Sequence, residues 1–237
     1  MRSLGILKRL AKESAIYGIS TAMGRFVYLL LAPILTRIFT PEDYGVIALI
    51  QLAIGFVTIF GGLNISSGIG YHFYKADKEE DKEKVFAGGF WVSIVIACLI
   101  SGAFAFFAPQ IVKLLQMRNE GPILGHDLSL YVQVGSLGMF FGVMQTCLAS
   151  MLRFLGKPYH YVVVQLSHIL PMLIATLVFV TVFEIGVLGV FLGGVVGATC
   201  GFCVAFLMLA GRLFRTPAKL VLLPVLLYAL PQIPATI

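Results

Sequence analysis

The stretch Ala15-Ile-Tyr-Gly-Ile-Ser-Thr-Ala-Met-Gly-Arg25-Phe-Val-Tyr-Leu-Leu-Leu-Ala-Pro-Ile-Leu-Thr-Arg-Ile-Phe39 decides how the rest of the chain reads. It exceeds the ~20 apolar residues a helix needs to cross a bilayer, yet it carries a charge in its interior, Arg25. At ~1.5 Å of rise per residue, Arg25 lies roughly 15 Å in from Ala15, near the middle of a hydrocarbon core about 30 Å thick. A charged group at that depth costs at least ~2.5–3.5 kcal/mol against lipid, so it turns toward protein or a watery cavity. Wound at about 100° per residue, the stretch puts Ser14, Tyr17, Gly18, Thr21, Arg25 and Tyr28 on one face, and Ile16, Ile19, Met23, Val27, Leu30 and Ile34 on the opposite one. Two readings of Arg25 stand. It makes a buried structural contact with a carbonyl or a neighbouring helix, or it lines a cavity and meets an anionic substrate. The second is preferred, because an ionisable group inside a membrane marks a functional site by default.

Composition agrees with a membrane-embedded chain. Of 237 residues, 59% are hydrophobic and 12% charged, which excludes an ordinary soluble domain and points to a polytopic all-α helical bundle. Lys plus Arg number 17 against 11 acids, an excess that reads as topology. No basic cluster interleaved with aromatics lies outside the membrane stretches, so no nucleic-acid partner is expected. Cys98, Cys147, Cys200 and Cys203 all sit in apolar runs and behave as small hydrophobes. Cys200 and Cys203 form a C-x-x-C pair without a second ligand pair, and packing is its expected role. His72, His126, His160 and His168 lack zinc-motif spacing. No metal and no cofactor is expected. The N-terminal apolar stretch is too long for a cleavable signal peptide.

Working outward, residues 1–14 read as an amphipathic cytoplasmic lead. Leu4, Leu7 and Ala11 form its apolar side, and Lys8, Arg9 and Lys12 meet anionic headgroups. After the first span, Thr40, Pro41 and Asp43 spell a helix start with a capping box. Spans are then expected at about 44–62, continuing past Asn64 to Tyr74, and at about 86–107, 128–152, 161–183 and 187–210. The Gly61-Gly62-Leu63-Asn64 run marks a weakened helix end. Lys75 to Lys84 is a run of both signs, read as a solvated loop or helix extension with pairs such as Glu80–Lys84. The segment from Pro109 to Asp127 reads as a turn-rich connection. Gln133, Gln145 and Thr146 are candidates for bonds between helices. Pro171 is expected to kink the fifth span and free a carbonyl. His168 is either a hydrogen-bonded structural histidine, the preferred reading, or a proton acceptor. Gly189, Gly193, Gly197 and Gly201 recur every fourth residue, a seam for close helix packing. Residues 15–210 thus read as a six-helix lobe, and 211–237 as a linker and the truncated start of a seventh helix.

Charges fall unevenly between the loops. Loops on the N-terminal side hold Arg2, Lys8, Arg9, Lys12, Lys75, Lys78, Lys82, Lys84, Arg153, Lys157, Arg212, Arg215 and Lys219, and the opposite loops only Arg37, Lys113 and Arg118. Arg25 is the one basic residue left over. The positive-inside rule therefore puts the N-terminus in the cytoplasm.

Four stretches carry a family likeness: Leu35-Thr36-Arg37 with Thr40-Pro41-Glu42-Asp43-Tyr44-Gly45; Gly62-Leu63-Asn64 to Phe73-Tyr74; Leu152 to Pro158; and Tyr228-Ala229-Leu230-Pro231-Gln232-Ile233-Pro234. In order and spacing the chain resembles the polysaccharide-biosynthesis or O-antigen flippases of the multidrug/oligosaccharidyl-lipid/polysaccharide exporter superfamily. His72 stands where relatives often have a more basic residue. The resemblance implies two six-helix lobes around a central cavity, of which this chain supplies the first and the start of the second.

It also implies a function: moving a lipid-linked oligosaccharide of the undecaprenyl-pyrophosphate type across the bacterial cytoplasmic membrane. The partners implied are that lipid-linked oligosaccharide, membrane lipids and a second transporter lobe. Arg25 would pair with phosphate through its guanidinium fork. Tyr17, Thr21, Tyr28, Asn64, Gln165 and His168 complete the candidate substrate-binding set. The alternatives are a cation-coupled multidrug exporter, which would call for an intramembrane carboxylate that no span carries, and an inactive truncated lobe. A membrane enzyme would need paired acids or a His/Asp constellation, and none stands out.

Overall fold

The computed structural model describes residues 2–61, 65–116 and 128–214. Within them, the side chains of 2–13, Thr21, Arg25, Val27, Tyr28, Leu30, 59–61, Ile65, Leu115 and Gln116 are not described. The elements are helical: α1 (Arg2–Ile38), α2 (Pro41–Gly61), α3 (Ile65–Lys75), α4 (Glu79–Phe106), α5 (Ala108–Gln116), α6 (Leu128–Phe154), α7 (Pro158–Leu177) and α8 (Val187–Leu213), with a π-helical turn over Val178–Val182. Among the described residues four helical segments are long and apolar enough to cross a membrane: Glu79–Phe106, Leu128–Phe154, Pro158–Val182 and Val187–Leu213. The chain is a multi-pass membrane protein.

Helix α1 runs unbroken from the basic lead into the apolar stretch, so lead and span form one element. In it, Ser20, Leu31 and Leu35 are buried, while Ile19, Met23, Phe26, Leu29 and Ile34 are exposed. The apolar side expected from the 100° winding is thus the open side at Ile19, Met23 and Ile34. The capping box between α1 and α2 is present and reciprocal. Asp43 Oδ2 accepts from the Thr40 backbone N–H and from Thr40 Oγ1, each at 2.8 Å, and Thr40 Oγ1 accepts from the Asp43 N–H at 3.3 Å. Tyr44 Oη then donates to the Ala32 carbonyl at 3.3 Å and ties the two helices together.

Two readings change. The segment after Pro109 begins with a helix, α5, because Pro109 is its second residue. Pro there starts a helix, where its missing N–H costs nothing. The charge run becomes the first turns of α4, but its ion pairs join residues three apart, Lys82 to Glu79 at 2.7 Å and Lys84 to Asp81 at 3.2 Å, in place of Glu80–Lys84. The acids lead α4, where the helix dipole favours them.

The packing seam on α8 is real and close. A Cβ on Gly197 would stand 2.5 Å from Met172 Cβ and 2.7 Å from the His168 carbonyl oxygen; one on Gly189 would stand 3.0 Å from Phe179 Cβ. Gly193 meets Thr176 closer still, and Gly201 meets His168. Only a residue without a side chain lets the α7 and α8 backbones approach this way. Gly186, at φ +67°, makes the turn into α8. At the other end Gly156, at φ +63°, turns α6 into α7.

Two apolar cores stack along the bundle. One joins α3, α4, α6, α7 and α8 around Phe73, Phe86, Met151 and Leu213. The other joins α1, α2, α4, α6 and α8 around Leu35, Val46, Phe104, Val132 and Phe191. In the first, Phe73 stacks on Phe86 at 4.7 Å and lies 6.3 Å from Phe154. Residues from two of the stretches that carry the family likeness therefore touch.

Candidate functional site

A cavity of about 770 Å³ opens between α1, α2, α6, α7 and α8. Its two ends differ. Near the start of α2 and α6 it is walled by Leu31, Leu35, Ile47, Met139 and Phe191. Tyr44, Gln51 and Thr176 are the polar groups at that end, Gln51 lying one turn before Ile54, which meets Gly135 near Phe191; further along the same helices the cavity meets Thr58, Gln145, Thr146 and His168, with Ser66 and Ser93 beyond. An amphipathic space of this size suits a ligand with an apolar part and a hydrogen-bonding part. None of the described lining residues is Asp, Glu, Lys or Arg.

The polar end is held by a chain of hydrogen bonds across α6 and α7. Gln145 Oε1 lies 2.9 Å from His168 Nδ1. Gln145 Nε2 donates to Gln165 Oε1 at 3.0 Å, and Gln165 Nε2 donates to the Tyr161 hydroxyl at 3.0 Å. Residues 161, 165 and 168 share one face of α7 because they are spaced four and three apart. Gln145 is 4% exposed, and both atoms of its amide are bonded to neighbouring side chains. The outer end of the chain is also fixed. Tyr161 meets the Tyr17 ring edge-on at 5.2 Å and lies under the Arg153 guanidinium, 5.5 Å from its ring centre. Arg153 Nη2 in turn donates to Ser150 Oγ at 2.9 Å.

The candidate residues fall in different places. His168 lines the cavity. Gln165 stands one hydrogen bond behind it, and Tyr17 packs on the tyrosine that closes the chain. The side chains of Thr21, Arg25 and Tyr28 lie outside the described residues, as does Asn64. The α1 backbone at Gly24, next to Arg25, faces Ile169, since a Cβ on Gly24 would stand 3.5 Å from its Cδ1. Gln145 forms its interhelical bonds, whereas Gln133 and Thr146 make no side-chain hydrogen bond among the described residues. Sequence reasoning does not reach Gln51, Thr58 and Thr146 as site residues. The available signal is a lone amide in the apolar run of α2, Gln51.

The described residues form a membrane-type helical bundle with an internal amphipathic cavity. Residues 34–233 match the family described as polysaccharide biosynthesis protein, and the chain belongs to that family. A comparison with curated proteins finds no match. Among solved structures, the fold is similar to a MATE transporter in its straight conformation, at TM-score 0.78 and 14% identity, over 97% of this chain and 53% of that one. It is also similar to an outward-facing multidrug resistance MATE family transporter of the MOP superfamily, at TM-score 0.74 and 15% identity, over 94% and 52% of the two chains. A third match is a MOP superfamily transporter from Pyrococcus furiosus described as having reversed polarity in its binding pocket, at TM-score 0.67 and 17% identity, over 94% and 52%. The chain spans about half the length of these structures.

Proposed function

We propose that this chain is the first lobe of a transporter that moves a lipid-linked oligosaccharide, of the polyprenyl-pyrophosphate type, across the bacterial cytoplasmic membrane. The observation that carries the reading is the two-ended cavity. Its apolar end suits lipid chain, and its amide, hydroxyl and imidazole end suits sugar. The polysaccharide-biosynthesis family supports the same reading. α1 and α2 join the four candidate spans to make six. A second lobe closes the cavity. The basic lead, residues 1–14, meets anionic headgroups on the cytoplasmic side. The protein acts by binding and moving its cargo, without enzymatic chemistry. The cation-coupled exporter is disfavoured because no carboxylate stands among the described lining residues.

Arg25 pairs with the pyrophosphate, while Tyr17, Thr21, Tyr28, Asn64 and Gln165 support the site. In a full-length protein, Arg25→Ala should abolish glycan export at near-normal abundance. Arg25→Lys should keep part of it, since charge remains but the bidentate fork is lost. Arg25→Glu should be worst. Normal export by an abundant Arg25→Ala protein would remove the substrate role. If Arg25 is structural, all three variants should instead lose abundance together.

A further inference from the structure

The hydrogen-bond chain behind His168 has a direction, and the direction decides what the cavity can bind. Gln145 donates its amide N–H to Gln165, so the atom it turns to His168 is its carbonyl oxygen, an acceptor. Nδ1 of His168 is then the ring nitrogen that carries the proton. In a neutral imidazole the other nitrogen, Nε2, is left with a bare lone pair. Nε2 has no partner among the described residues, and His168 lines the cavity. The ring is held on its other side too: the Gly197 seam lies against its Cδ2, and Gly201 against its Cβ.

We infer that the Tyr161–Gln165–Gln145 chain locks His168 in the Nδ1–H tautomer, so that Nε2 accepts a hydrogen bond from a hydroxyl of an uncharged sugar in the cavity. This deepens the transport reading and rests on it for the physiological cargo. A lone pair selects donors. A sugar hydroxyl offers one, and a deprotonated phosphate or carboxylate oxygen does not, so His168 discriminates against the anionic parts of a glycan. Thr146 lines the same end with no side-chain hydrogen bond among the described residues, ready to meet a further hydroxyl. With no Asp, Glu, Lys or Arg among the described lining residues, this end is built for neutral groups. Gln165 and Tyr161 touch no ligand and act as positioning residues: Gln165 orients Gln145, and Tyr161 orients Gln165.

The test is nitrogen NMR of the 237-residue chain, labelled at histidine and held in lipid nanodiscs, with His168 assigned by comparison with His168→Asn. The free protein should show Nδ1 protonated and Nε2 bare. Maltotriose, a neutral probe rich in hydroxyls, should shift the Nε2 resonance, and inorganic pyrophosphate should leave it unmoved. Gln165→Met should mix the two tautomers and weaken the maltotriose response several-fold. Tyr161→Phe, which removes only the hydroxyl, should do the same in milder form if Gln165→Met does not fold. A protonated Nε2 in the free protein, or a silent His168 under maltotriose, would overturn the inference. A polyprenyl-pyrophosphoryl trisaccharide of neutral sugars, offered to the full-length protein with its second lobe, separates the two levels. If it fails to bind while maltotriose shifts Nε2, the transport reading falls and the site stands. If it binds without moving Nε2, the reverse holds.

Discussion

Gln145 Oε1 and His168 Nδ1 stand 2.9 Å apart, joining α6 to the middle of α7 at the polar end of the cavity. Removing the amide leaves Gln165 Oε1 and His168 Nδ1 without partners in a dry seam. Each such loss costs about 1–3 kcal/mol in general, and less inside membranes, where measured pairs average ~0.6 kcal/mol. Gln145→Leu should therefore lower the thermal unfolding midpoint of the detergent-solubilised protein modestly, by an amount matching about 1–2 kcal/mol. An unchanged midpoint would mean that the bond chain does not hold α6 to α7.

The glycine seam makes a sharper contrast. On α8, Gly197 faces Met172 and the His168 carbonyl, while a Cβ on Gly194 would have no heavy atom within 4 Å. Gly197→Ala should force the helices apart and cost about 1–3 kcal/mol, as overpacking does. Gly194→Ala, three residues away, should be neutral or slightly stabilising, since Ala is the better helix former. Unfolding midpoints of the two variants, measured side by side, check the contrast.

At the turn between α1 and α2, Asp43 accepts two bonds from Thr40 and returns one through its backbone. Asp43→Ala should cost about 1 kcal/mol, the usual worth of a capping interaction. Asp43→Asn keeps one side-chain oxygen and should recover part of that loss. A scan of midpoints for the two variants reads this directly.

The uneven loop charges predict an orientation. A phosphatase or fluorescent reporter fused after Lys78 should report the cytoplasm, and one fused near Gly121 the outside. The opposite pattern would reverse the topology and the assignment of the basic lead to the cytoplasmic face.

Local signals in this chain are legible, and pairings across helices are not. Thr40, Pro41 and Asp43 spell a helix start within four residues, and the structure forms it. Glycine at every fourth position of α8 declares a packed face, and α7 packs there. Gln145 and His168 can each be marked as polar groups inside spans, but nothing local says they meet, because 23 residues separate them. The cavity wall at Gln51, Thr58 and Thr146 needs three dimensions for the same reason. Helix α5 escapes the sequence reading because proline ends helices as well as beginning them, and only the chain direction at Pro109 decides which.

The central claim, that the two-ended cavity holds a lipid-linked oligosaccharide, is tested most directly by photo-crosslinking in native membranes. A benzophenone amino acid in place of Gln51, inside the cavity, should capture a radiolabelled polyprenyl-pyrophosphoryl oligosaccharide. The same group in place of Leu207, 75% exposed on the outside of α8, should capture phospholipid alone. Equal capture at both positions, or none at Gln51 in an inserted and abundant protein, would contradict the account.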